Sequence, residues 1–494
     1  MKIKRLGVLA IISIFLRSIA FYTIKLGIEE YTNGYFTKIG LGYAEFLDYC
    51  ALKSSGINYF MAKNNDFPAL ILSLLSGACN WTLKTNAYGE EAGDCYYRGK
   101  LFMFSIITII EIFQGIIIYN YLCKSYFKIP KVNNKIVGKS IYEDYAFYLL
   151  AFYWLNPVSI YSSISLSIVS TIEFTILLLI ILLSLRPSSK RMVSVLFGFL
   201  MYISPRKYIS LLPILVCNNF NQNEFDLNQK IEKYEIINQE KKDVFGIIHR
   251  IKCYYDDLKN SVVNMINIYN LKLLLNFTFS FLVTLIALHT FSCFLLAKMD
   301  PFDYYLRFIY SHFSFTENRD LAPYLNFYWF TMTTIMERFK FYFQLILSSF
   351  LVLYSGNILI GFKDVMYKAL ISQFFLIHIL GESPNLLNYI LVLMFISFDY
   401  FTLFEAKFEF LFSASFLIWF FTFSLAFLIR PTWITQNRLN SNMFYFITFS
   451  GNVAFILIIG EWNKNIFNSL VKECKFNSII SKECSKTNYK DKTE

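Results

Sequence analysis

The chain has 494 residues, of which 56% are hydrophobic, 19% aromatic and only 16% charged, and its mean hydropathy is +0.45. These values exclude a soluble globular chain and define an all-α polytopic membrane protein. The net charge of +11 does not indicate a nucleic-acid partner. The basic residues form short clusters between apolar runs, the pattern of loops on the cytosolic face of a membrane.

The opening MKIKR is basic and precedes an apolar run from Leu6 to Tyr22, which predicts a retained signal anchor with a cytosolic N-terminus. A first lumenal region is expected from about 25 to 99, carrying Glu29, Glu30, Glu45 and Asp48. Within it, Pro68 to Leu75 is apolar but too short to cross, so it reads as a partial or interfacial helix. The run from Leu101 to Leu122 is long enough to span and contains Glu111, an acid that must face the protein interior or stay protonated in a membrane. Two further spans are expected at Tyr145 to Ser162 and Ile164 to Leu185, with a kink at Asn156 and Pro157. Shorter runs follow at Met192 to Tyr202 and Tyr208 to Cys217, separated by SPRK.

At residues 218–270 the composition turns to Asn, Lys, Glu and Asp, predicting a soluble cytosolic insertion between transmembrane regions 1–217 and 271–462. The second region begins with a span from Leu271 to Leu296. Five more are expected at Phe343 to Gly361, Ala369 to Leu380, Leu387 to Phe404, Phe408 to Ile429 and Phe444 to Ile459. About twelve crossings return the chain to the cytosol, where a basic tail at 463–494 has Lys490 and Lys492 in the KxKxx spacing of an endoplasmic-reticulum retrieval signal.

The nine cysteines include no CxxC pair, so no metal site is expected, and no cofactor motif occurs. With the loops around it in the lumen, Cys79 can pair with Cys95; small buried thiols are the alternative reading. Hydrolase chemistry needs a nucleophile beside a positioned base. Only His312 of the four histidines falls in an expected lumenal loop, where Cys50, Cys79 or Cys95 would have to serve it, so the chain is not expected to be a protease. A lipid-linked glycosyltransferase needs a lumenal carboxylate base; Glu45 and Asp48 share a helix face at i,i+3 spacing, but the loop has no DxD. Glu111 and the span count alone would admit a transporter or flippase.

Two stretches carry more information. Asp320 to Phe343 reads DLAPYLNFYWFTMTTIMERFKFYF. Asp320 and Pro323 suit a helix start, Phe327, Tyr328 and Trp329 suit headgroup depth, and Glu337 opens the next apolar run, with Phe341 beyond it. The stretch from Arg430 to Tyr445, RPTWITQNRLNSNMFY, places Asn437, Asn440, Ser441 and Asn442 beside Trp433, Phe444 and Tyr445. Amides donate to and accept from sugar hydroxyls and phosphate oxygens, and aromatic faces suit sugar rings. The plainer readings are an interfacial helix start that only positions the chain, and a polar loop in an Asn-rich protein.

These motifs resemble those of the PIG-U family. Asp320, Leu321, Pro323, Trp329, Glu337, Phe339, Phe341 and Phe343 match a D-L-x-P, aromatic and E-x-F series. NRLNSNMFYFIT, from Asn437 to Thr448, followed by Asn452, Val453 and Ile456 to Ile459, matches its second signature. Thr334 and Asn388 stand where the family has acids. The resemblance implies a non-catalytic subunit of the glycosylphosphatidylinositol (GPI) transamidase in the endoplasmic reticulum membrane, on a scaffold like that of GT-C glycosyltransferases, which binds the GPI lipid or helps bring the C-terminal attachment signal of the precursor to it. Its partners would be the caspase-like PIG-K, PIG-T, PIG-S and a peptidase-like attachment subunit. It also implies a GPI lipid site in which Asn440 and Asn442 bond the headgroup, Trp329, Phe327 and Tyr445 bound its glycan and upper acyl chains, and Asp320, Pro323 and Glu337 shape the rim. An active mannosyltransferase of GPI assembly, using Glu45 or Asp48, is the alternative.

Overall fold

A computed structural model describes residues 2–25, 46, 49–53, 55, 69–75, 79, 92–125, 139–164, 166, 168–184, 190–220, 268–297, 300–313, 328–361, 366–381, 389–390, 392–397, 410–434, 438 and 440–490. The regular structure among them is entirely helical. In chain order the helices are α1 (Lys2–Lys25), α2 (Ala69–Leu75), α3 (Ala92–Ser125), α4 (Lys139–Leu155), α5 (Pro157–Ile164), α6 (Ile168–Ser184), α7 (Lys190–Ile203), α8 (Pro205–Tyr208) and α9 (Leu212–Phe220). After the cytosolic insertion expected from the sequence, most of which lies outside the described residues, come α10 (Ile268–Phe291), a π-helical extension (Ser292–Ala297), α11 (Pro301–Phe313), α12 (Tyr328–Thr334), α13 (Glu337–Gly361), α14 (Met366–Leu380), α15 (Phe410–Ile434) and α16 (Ser441–Lys490).

Among the described residues, six helices are long and apolar enough to cross a membrane: Arg5–Thr23, Gly99–Asn120, Leu274–Phe294, Glu337–Leu359, Phe410–Arg430 and Ser441–Asn465. Shorter apolar helices lie at Ala146–Leu155, Ile168–Ser184 and Lys368–Leu380. The sequence expectation of twelve crossings therefore exceeds what helix length supports among the described residues. The 14 residues of α7 and nine of α9 reach about 21 and 14 Å, short of a hydrocarbon core of about 30 Å. The kink expected at Asn156 and Pro157 is a full break. Asn156 Oδ1 accepts from the Val158 N–H (2.9 Å) and starts α5 anew with Pro157 at its first position, where no N–H is needed. Helix α2 is a seven-residue piece, as its length in sequence implied; its Ile71, Leu72 and Leu75 are buried, and the Leu70 N–H donates to the Tyr202 hydroxyl (3.3 Å).

Helices α1, α3, α4 and α5 meet around a polar knot. Arg17 is fully buried, and its Nε donates to Glu111 Oε2 (3.2 Å) and Ser163 Oγ (2.9 Å). One terminal nitrogen donates to Ser159 Oγ (2.7 Å), and the other to the Trp154 carbonyl (2.9 Å) and to Ser13 Oγ. Ser163 also donates to Glu111. One turn along α3, Gln114 donates to Thr175 Oγ1 (2.7 Å) on α6 and accepts from the Tyr153 hydroxyl (2.7 Å). Gly115 permits this approach: a Cβ there would lie 2.1 Å from Trp154 Nε1. A second, part-buried pair, Glu173 with Lys207 (3.0 Å), joins α6 to α8, and Glu173 also accepts from the Tyr208 hydroxyl (3.1 Å).

Cys50 and Cys79 form a disulfide with a Cα–Cα distance of 5.1 Å. This corrects the expected Cys79–Cys95 pairing: the helical turn at 49–53 brings Cys50 within bridging distance. The described residues contain no group of three or more His, Cys, Asp or Glu residues that could hold a metal ion.

Candidate functional site

Helices α15 and α16 form an antiparallel hairpin so close that a Cβ on Gly451 would lie 2.8 Å from Thr422 Oγ1. At its closed end the Arg438 N–H donates to the Thr432 carbonyl (3.1 Å), folding the connection back on the last turn of α15. Asn440 then caps α16. Its Oδ1 accepts from the Asn442 N–H (3.1 Å) and the Ser441 hydroxyl (3.2 Å), and its carbonyl accepts from the Met443 N–H (3.1 Å). An Asx side chain here satisfies a donor that the helix start would otherwise leave unpaired. Asn440 and Asn442 are both exposed.

Helix α12 lies against this end. Trp329 is buried between Trp433 of α15 (ring centroids 6.0 Å apart) and Phe444 of α16 (5.8 Å), and those two rings also meet at 5.9 Å. Phe330 stacks on Tyr445, with centroids 3.7 Å apart and planes 13° from parallel. Tyr328 accepts a bond from Gln344 Nε2 (2.6 Å), tying α12 to α13 across the break at Ile335 and Met336. The two informative stretches, about 110 residues apart in sequence, thus form one aromatic platform beside an amide-capped helix start.

The site residues expected from sequence divide accordingly. Asn440, Ser441, Asn442, Tyr445 and Trp329 come together. Glu337 opens α13 and Phe341 lies on it, both exposed. Asp320, Pro323, Phe327 and Asn437 lie outside the described residues. Trp329 faces inward and supports the platform; the outer residues are Tyr445 and the two asparagines. Phe330, the stacking partner of Tyr445, escaped the sequence reading. Its only signal was membership of the aromatic run from Phe327 to Phe330.

In chemical terms, the start of α16 offers the positive end of a helix dipole, two exposed side-chain amides and a flat aromatic surface. That set suits an acceptor-rich headgroup of phosphates or sugars joined to an apolar tail. The bridged Cys50 and Cys79 cannot supply a thiolate nucleophile.

Long apolar helices and a hydrophobic composition define a multi-pass helical membrane protein. The sequence model of one family, described as GPI transamidase subunit PIG-U, matches residues 10–451, nearly the whole chain. The protein belongs to that family and is a membrane subunit of the GPI transamidase type. No curated protein matches it.

Proposed function

We propose that the chain is a non-catalytic subunit that holds the GPI lipid, and presents it for attachment to precursor proteins, at the end of the α15–α16 hairpin. The observation that carries this reading is the cap. With Asn440 Oδ1 committed to the backbone of α16, its amide N–H groups remain as donors, beside exposed Asn442 and the Phe330–Tyr445 stack. These groups would bind headgroup oxygens while the aromatic rings bound the glycan and upper acyl chains.

In this account the site end of the hairpin is lumenal. The Cys50–Cys79 bridge supports a lumenal first loop, because disulfides persist in oxidising compartments. The full scaffold has about twelve crossings arranged as in GT-C glycosyltransferases, with transmembrane regions 1–217 and 271–462, a cytosolic insertion at 218–270 and a cytosolic tail at 463–494. Cleavage and transfer belong to a PIG-K-like caspase-family subunit, with PIG-T, PIG-S and a peptidase-like attachment subunit as the other partners.

The test must separate cap from ligand contact. Asn440→Asp retains the capping oxygen but removes the amide donors and adds a charge that repels phosphate. Combined with Asn442→Leu, it is expected to leave the complex assembled and to lower the GPI that co-purifies with it by an order of magnitude, about 1.4 kcal/mol or more. Undiminished lipid in an intact complex removes these residues from the site.

A further inference from the structure

Helix α11 has three faces. Tyr304, Tyr305 and Phe308 turn inward and surround the His289 ring of α10, with centroids 6.0, 5.7 and 4.3 Å away. The same helix lies against the π-helical end of α10 and against α8. Phe302, Leu306 and Ile309, at i, i+4 and i+7, form a second face, 72%, 49% and 53% exposed. Asp303 and Arg307 form a third, also exposed, immediately beside the apolar one.

A helix resting on its own protein in water needs two faces, one apolar and one polar. A third, apolar and outward, requires another apolar phase. The position of α11 says which. Pro301 follows Phe294, the last residue of the α10 membrane span, by only seven residues, so the helix starts at the edge of the hydrocarbon layer. Phe291 and Phe294 are exposed at the end of that span, and a few residues further along the chain Phe302, Leu306 and Ile309 are exposed as well. The charged face then borders water, and Asp303 in the first turn complements the dipole of the helix.

We infer that α11 is an interfacial helix whose Phe302–Leu306–Ile309 face is immersed in the phospholipid leaflet at the C-terminal end of α10. Such a helix lies in the membrane plane with its apolar face about 5–10 Å below the headgroups. Its inward aromatic face anchors it to α10 and to the α8 turn that carries Lys207. The depth of the whole bundle in that leaflet is thereby set by α11 as well as by the spans.

The photoreactive residue p-benzoylphenylalanine, placed singly at position 306, 309 or 307 of the full chain, tests this in the assembled complex reconstituted into phosphatidylcholine vesicles. After illumination, intact-mass and peptide spectra are expected to show phosphatidylcholine adducts at 306 and 309, several-fold more than at 307. Crosslinks from 306 and 309 to another protein subunit would assign the face to a partner and overturn the inference. Equal lipid adducts at all three positions, or none at 306 and 309 while the complex stays assembled, would also overturn it. An undisturbed migration of the complex on native gels identifies variants that fold.

Discussion

The knot around Arg17 and the platform around Trp329 both bring together residues remote in sequence, but they are built by opposite rules. At the knot the charged side chains are removed from solvent, and Arg17 spends its donors on partners from three other helices. At the platform the buried part is aromatic and the polar groups, Asn440 and Asn442, remain exposed. Polar atoms satisfied within the protein fix a packing arrangement; polar atoms left at a rim can exchange partners with a ligand. Under the proposed function, the first region serves stability and the second would serve binding.

The largest predicted effect tests the first assignment. Arg17→Leu leaves Glu111 buried without its cation and is expected to destabilise the subunit by about 3–5 kcal/mol, seen as lost abundance and a lower melting temperature of the detergent-solubilised complex. The double change Arg17→Leu with Glu111→Leu should recover much of that loss, because no uncompensated charge remains. If the single and double changes are equally harmful, the knot has a role beyond pairing. Replacing Cys50 and Cys79 with Ser opens a crosslink between residues 29 apart, with an expected loss of about 2–4 kcal/mol and retained lipid binding. Lipid loss without destabilisation would tie the first loop to the site. The smallest effect belongs to the platform. Phe330→Ala removes the stack on Tyr445, an expected stability change of about 0.5–1.5 kcal/mol beyond lost burial, yet it should reduce GPI retention more than either change at the knot that leaves the complex assembled.

The two regions were also unequally legible in sequence. The break at Asn156 and Pro157 and the shortness of α2 follow from local chemistry, a proline at a helix start and a run of too few apolar residues. Glu111 is conspicuous in its apolar run, but periodicity marks it as polar without stating that its partner is Arg17, 94 positions away. The Cys50–Cys79 bridge escaped for the same reason, since spacing favours neither Cys50 nor Cys95 as the partner of Cys79. Helix length among the described residues supports six of the expected crossings, and apolar runs of nine to 14 residues, as in α9 and α7, read as spans in sequence although they fold as shorter helices. The site motifs were readable as motifs. Their convergence was not, and neither was the inward turn of Trp329, because a tryptophan in a run of aromatics carries no local sign of whether it faces lipid, ligand or core.

Purification of the full tagged chain in a mild detergent, with mass spectrometry of the proteins and lipids that accompany it, tests the central claim most directly. The account predicts a caspase-like subunit together with complete GPI, and lipid lost on the combined Asn440→Asp and Asn442→Leu changes while the proteins remain. Recovery of the chain without such a subunit, carrying mannosyltransferase activity on incomplete GPI that depends on Glu45 or Asp48, would contradict it.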